Sequence, residues 1–140
     1  MPVSFHNADL KFRLPESGKL KAFITARVKK EGGKTIRLTY VFCTDEFLLR
    51  INQQFLQHDF YTDIITFPLN ESDSEIEAEI YISIDRVRDN AAKLKQDFKS
   101  ELLRVIFHGV LHLLGYQDKT KAQEKKIRAK EDEWLTAFIR

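Results

Sequence analysis

His108 and His112 stand four residues apart in an otherwise apolar run. Four residues is about one helical turn, so on a helix both imidazoles leave the same face. With each residue set at roughly 100°, Glu101, Arg104, His108 and His112 share one polar stripe. Leu102, Leu103, Val105, Ile106, Val110, Leu111 and Leu113 take most of the remaining circumference. A helix that apolar is expected to be buried, with its polar stripe facing something specific. Gly115 supplies a left-handed stop. The chain can then turn back and bring Asp118 to both histidines, giving the pattern His-x3-His-x5-Asp. Two imidazoles and a carboxylate form a zinc donor set of the catalytic kind, with three protein ligands and a fourth position open for water. Zinc lowers the pKa of such a water toward about 7–9 and polarises an oxygen of the substrate.

The metzincin proteases use the same skeleton, but their general base is a Glu directly after the first His. Here that position is Gly109, and no carboxylate replaces it, which disfavours peptidase chemistry. A glycine inside a helix costs about 1 kcal/mol relative to Ala, so Gly109 suggests a close approach to the backbone there. A plainer alternative stays open. Histidines on apolar helices also occur as ordinary core or surface residues, and Gln117-Asp118-Lys119 equally reads as an exposed turn.

The stretch HGVLHLLGYQD, residues 108–118, resembles the signature of the YbeY family, bacterial endoribonucleases of rRNA maturation, whose pattern reads His-Gly-x-Leu-His-Leu-x-Gly-Tyr-Asp-His. A second stretch, INQQFLQHDFYTDIITFPL at residues 51–69, is similar to the family's Leu-Asn-x-x-Tyr-Arg-x-x-Asp-x-Pro-Thr-Asp-Val-Leu-Ser-Phe-Pro. Order, spacing and length all fit, so the resemblance covers essentially the whole chain. It implies a zinc-dependent, single-strand-specific endoribonuclease acting in rRNA maturation, at the 16S rRNA 3′ end, and in ribosome quality control. One zinc ion per chain would be held by His108, His112 and Asp118. The implied partners are single-stranded RNA or rRNA and the ribosome or its small-subunit proteins. Neither a membrane nor DNA is expected.

Three departures from the family pattern carry consequences. The family's third His falls on Asp118, a harder, anionic ligand that lowers the net charge of the site and makes a bound water less acidic. The family's Arg in the second block, associated with activity and suited to phosphate, falls on Leu56. The Gly-Asp-Ile that usually opens the last strand is Ala78-Glu79-Ile80. With Gly109 in the protease Glu position, the base is either the metal-bound water as hydroxide or a cleft group such as His58. Arg104 is the candidate cation for transition-state charge, or it pairs with Glu101. His58 and Asp59 read either as an exposed loop or as a wall of the cleft. Asp63 reads as a supporting residue that holds a loop or a ligand. A rival reading of another class is a non-catalytic ribosome-assembly factor that binds rRNA or a ribosomal protein, its metal structural or absent; Leu56 favours it.

The elements that must position these residues follow from periodicity. Val3 to His6 reads as a short strand, with His6 on the surface. A helix runs from Pro15-Glu16 to about Lys30, and Gly32-Gly33 turns the chain. Thr35 to Phe42 alternates as a half-buried strand. Thr44 caps a helix that ends near Leu56. Ile64 to Pro68 is apolar on both faces and is expected to lie centrally in a sheet. Asn70 to Ser74 is a polar turn and the expected mobile loop, and Glu77 to Ser83 a further strand. A helix from Asp85 to about Phe98, with Leu94 and Phe98 on its apolar face, precedes the histidine helix. The last helix spans Lys121 to Ile139, where Trp134 is a core anchor or a base-stacking platform. The expected fold is α+β: one mixed sheet of about four strands covered by about five helices, with a zincin-like metal helix in the centre.

A length of 140 residues fits one domain, and 43% apolar residues is ordinary for a globular chain. The net charge of +2 does not by itself announce nucleic acid. Acids cluster at Glu71, Asp73, Glu75, Glu77 and Glu79, while bases gather from Arg86 onward. That asymmetry permits an RNA-facing surface and is equally met by solvated helix faces. Cys43 is the single cysteine, which excludes an intramolecular disulfide and a cysteine-based metal site. MPVSFHNADLKF lacks the features of a signal peptide, and no apolar run reaches the ~20 residues of a membrane helix. A cytoplasmic location is expected.

Overall fold

Alternation of β-branched and aromatic residues builds the sheet. Ile36, Leu38, Tyr40 and Phe42 are buried along one strand, and Ile76, Ala78, Ile80 and Ile82 along its neighbour. The computed structural model describes residues 2–58 and 61–140, with the backbone alone at Glu71. Its elements are β1 (Val3–Asn7), α1 (Ser17–Gly32), β2 (Thr35–Cys43), α2 (Asp45–Leu56), β3 (Ile64–Glu71), β4 (Glu75–Ser83), α3 (Ile84–Leu94), α4 (Phe98–Leu113) and α5 (Lys121–Ile139). The strand order is β1-β2-β4-β3. β1, β2 and β4 run parallel, and β3 is antiparallel to β4. The architecture is the expected α+β arrangement, one mixed four-stranded sheet and five helices.

α4 is the central helix. It packs against α3, α5, β3 and β4, and Leu102, Leu103, Val105, Ile106, Phe107, Val110 and Leu111 are buried along it. The Tyr40 hydroxyl donates to the Ile106 carbonyl at 3.0 Å, tying the helix to the sheet. On the opposite flank the Phe107 ring lies 5.5 Å from those of Phe23 and Trp134. Trp134 is fully buried, so it is the core anchor rather than a stacking platform. Gly109 owes its place to packing. A Cβ there would lie 3.0 Å from Ile64 Cδ1 and 3.3 Å from Ile80 Cδ1, so what approaches the helix backbone is the sheet. Gly109→Val is therefore expected to destabilise the fold by about 1–3 kcal/mol through overpacking. A urea denaturation midpoint unchanged by the substitution would contradict that close fit.

Two expectations need correction. β3 is an edge strand, not a central one. Its apolar character on both faces arises because both faces are covered. Ile64 packs into the main core beneath α4, while Ile65 and Phe67 pack with Cys43, Leu48 and Ile51 on the α2 side. Pro68, which has no N–H to give, suits an edge, and the pairing register shifts between Pro68 and Asn70. β3 also runs on to Glu71, so the turn shrinks to residues 72–74. There the Ser72 hydroxyl accepts the amides of Ser74 and Glu75. The second correction concerns α3, which stops at Leu94. Lys95 adopts φ 55°, and its amide closes on the carbonyls of Ala91 and Ala92. Phe98 instead opens α4, whose first turn is capped by the Asp97 carboxylate accepting the Ser100 amide. Leu94 is consequently 51% exposed, and Ile139 at the chain end is exposed too.

Cys43 is fully buried. Burial, then the charges of Asp9, Asp85 and Asp45, push its thiol up to about 12, so it is a structural group rather than a nucleophile. His6 is exposed and bonds Ser4 at 3.1 Å, as a surface residue should. No described helix is long and apolar enough to cross a membrane.

Candidate metal centre

The last turns of α4 carry His108 and His112 on one face. The helix then closes on itself: the Gly115 amide bonds the His112 carbonyl and the Tyr116 amide the Leu111 carbonyl, both at 3.0 Å. Gly115 has φ 102°, a conformation glycine adopts without strain. The short loop that follows carries Asp118 back and ends at the capping box of α5. In that box the Thr120 hydroxyl accepts the Gln123 amide, and the Gln123 side chain accepts the Thr120 amide.

His108 Nε2 lies 2.9 Å from His112 Nε2, and each lies 3.3 Å from Asp118 Oδ2. Tetrahedral zinc with bonds of about 2.0–2.2 Å has ligand–ligand edges of about 3.3–3.6 Å. Two of the three separations fall on such an edge and the third is slightly short. These are also hydrogen-bond distances, so the groups hold one another in the converged arrangement. Among the described residues this is the one group of three acids or imidazoles able to hold a metal ion. The side chains are 24%, 32% and 43% exposed, which leaves an open side for water and substrate.

Behind His108 stands a residue that sequence reasoning missed. Glu131 of α5 is 3% exposed. Its Oε2 accepts from His108 Nδ1 at 2.6 Å, and its Oε1 accepts from Arg104 Nη1 at 2.9 Å. A proton on Nδ1 leaves the Nε2 lone pair facing Asp118 and His112, which is the tautomer a metal ligand needs. The available signal was a charge inside an apolar stripe: Ile127, Glu131, Trp134, Leu135 and Phe138 share the buried face of α5. Burial opposes a charge on His108, but the bond and charge of Glu131, with Asp118 and Asp63, hold its imidazole above the ordinary value.

The other candidates are placed as follows. Arg104 pairs with Glu131 and, through Nη2 at 2.6 Å, with Asp132, not with Glu101. Asp63 precedes β3, its carbonyl accepting the Ser83 amide at 2.9 Å. It shares a cleft of about 320 Å³ with His108 and Asp118, and burial raises its carboxyl pKa. His58 is exposed beyond the end of α2 and is not among the residues lining that cleft, nor is Leu56. Asp59 lies outside the described residues. Glu79 faces away from α4: its strand neighbours Ala78 and Ile80 are buried toward the core, and Glu79 accepts from the Tyr81 hydroxyl at 3.2 Å on the other side.

Glu101 also lines the cleft and is 7% exposed. Burial raises its pKa against the opposing charge of Arg104, with Asp63 reinforcing the rise. The folded state therefore holds this proton more tightly than the unfolded chain. The resulting stability is complete below the unfolded value and is lost as pH rises through the folded one. Glu101→Gln is expected to stabilise the protein at neutral pH, to give no gain below the ordinary carboxylate range, and to flatten the pH profile between. Denaturant midpoints at pH 4 and pH 7 that shift equally would refute this.

A mixed sheet beneath a buried helix that ends in two imidazoles, a glycine turn and a carboxylate defines an α+β domain with, at its centre, a group of side chains able to hold a metal ion. The family model described as Endoribonuclease YbeY matches residues 5–139, and the chain belongs to that family. The protein named Endoribonuclease YbeY from Cytophaga hutchinsonii is 45% identical over 134 residues, covering 96% of this chain and 94% of that one. Its namesake from Flavobacterium psychrophilum is 44% identical over 136 residues, covering 97% and 96%. The solution structure of a Thermotoga maritima protein shares the fold, with a TM-score of 0.65 and 28% identity over 97% of this chain and 88% of that one.

Proposed function

We propose that this chain is a zinc-dependent endoribonuclease that cuts single-stranded RNA in rRNA maturation, at the 16S rRNA 3′ end, and in ribosome quality control. Its partners would be the ribosome or small-subunit proteins, and its compartment the cytoplasm. The observation that carries the reading is the convergence of His108 Nε2, His112 Nε2 and Asp118 Oδ2 on one point, in a chain whose relatives are named endoribonucleases. When bound there, zinc would supply a Lewis acid that acidifies water and polarises a phosphoryl oxygen.

The protein's own residues do the rest. Glu131 fixes the His108 ring and its tautomer. Asp118 brings negative charge to the donor set, which tempers the acidifying effect of the metal. Arg104 has its guanidinium engaged by Glu131 and Asp132, so it supports the centre rather than meeting phosphate. Arg128, exposed on α5 and lining the same cleft, makes no ion pair among the described residues. It is the better placed cation for a nucleotide phosphate.

The test is a substrate panel of labelled single-stranded RNA, duplex RNA and casein, with and without chelator. Cleavage of single-stranded RNA alone, abolished by chelator and restored by zinc, is the expected result. A second reading, a non-catalytic assembly factor, is favoured by Phe55 and Leu56, which leave apolar surface exposed at the end of α2. RNA left intact under every condition, with ribosome binding that survives metal removal, would select it.

A further inference from the structure

Two turns before His108 on the same stripe of α4, Glu101 has no role in holding the metal. It is more than nine-tenths buried, faces the cleft, and makes no side-chain hydrogen bond or ion pair among the described residues. Arg104 and Arg128 act on it only at longer range. Its carboxylate oxygens are not sealed off within the protein but open onto the cleft without a protein donor, so the cavity before them suits a ligand that brings one. That cavity, about 320 Å³, lies at the small end of the range for ligand sites. Ile64, Val105 and Ile127 give it apolar walls, and Asp63 adds a second carboxylate.

These features select among the parts of a nucleotide. A phosphate would be repelled by Glu101 and Asp63. A nucleobase fits, with its flat faces against the aliphatic walls and its donor edge toward the carboxylates. Guanine carries N1–H and the N2 amino group side by side, matching the two oxygens of one carboxylate. Uracil presents a single N–H flanked by carbonyl oxygens, which would oppose the acids. That edge is open only in unpaired RNA.

Resting on the endoribonuclease reading, we propose that Glu101, with Asp63, forms a base-reading subsite beside the metal centre that selects guanine in single-stranded RNA. The phosphate of the same nucleotide lies toward Arg128, at the exposed side of the cleft.

The experiment measures binding of the zinc-loaded full chain to cleavage-resistant 2′-O-methyl phosphorothioate hexanucleotides by fluorescence anisotropy. One is all uridine; in the others the central position is guanosine or inosine, which lacks the N2 amino group. Guanosine is expected to bind about 10–100-fold tighter than uridine, with inosine between them. Glu101→Gln should collapse that ratio toward one, by weakening guanosine binding and by relieving the opposition to uridine, and Asp63→Asn should reduce it. Equal affinity for all three oligonucleotides, or a guanosine preference that survives Glu101→Gln, would overturn the subsite. Free GMP competing as tightly as the guanosine hexamer would overturn RNA as its ligand. If no hexamer binds at all, the RNA reading itself fails and the subsite with it.

Discussion

Replacing His112 with Ala should abolish stoichiometric zinc binding and lower RNA cleavage by about a thousand-fold or more. A bound metal supplies several kcal/mol of transition-state stabilisation, and each 1.36 kcal/mol is about tenfold in rate. The remaining pair, His108 and Asp118, cannot close a three-ligand site. The fold should tolerate the change. His112 sits in the final turn of α4 with its side chain 32% exposed, outside the buried stripe that binds the helix to the sheet. Its truncation should alter stability by less than about 1 kcal/mol. Circular dichroism and a denaturation curve would check the fold, and single-turnover cleavage the chemistry. Wild-type cleavage by a zinc-free variant would separate catalysis from the metal.

Glu131→Ala should weaken zinc binding by about 10–100-fold, the usual effect of removing a partner that orients a ligating histidine. Glu131 touches no metal position itself. Its loss frees the His108 ring to rotate and to place its proton on Nε2, where the metal must bind. It also leaves the Arg104 guanidinium with Asp132 alone, so a stability loss of about 1–3 kcal/mol is expected as well. Glu131→Gln separates the two effects. The amide oxygen still accepts from Nδ1, but the charge is gone, so zinc affinity should fall less than in the alanine variant. Chelator competition gives the affinities, and nitrogen-15 shifts of the His108 ring in the zinc-free protein report the tautomer. An unchanged zinc affinity in Glu131→Ala would mean that α5 merely packs against the centre.

The convergence of His108, His112 and Asp118 was legible because it is local. The three lie within 11 residues of one another, on a helix and a glycine turn whose geometry follows from spacing. Five helices and four strands were legible for the same reason, since their periodicities and the Thr44 cap are short-range signals. What escaped depends on pairing across the chain. Glu131 reaches His108 from 23 residues away, through the packing of α5 on α4. The edge position of β3 follows from strand order, which no single segment encodes, and its two apolar faces reflect coverage by α2 on one side and α4 on the other. The break at Lys95 was hidden because a lysine, rather than a glycine, takes the left-handed position. Gly109 did signal a close approach, but the approaching groups are Ile64 and Ile80.

The most direct test of the central claim is the metal content of the purified chain by elemental analysis, for the native protein and for Asp118→Ala. About one zinc per chain, lost in the variant, is the predicted result. A native chain that takes up no zinc even when it is offered, or a variant that keeps its zinc, would contradict the His108, His112 and Asp118 centre.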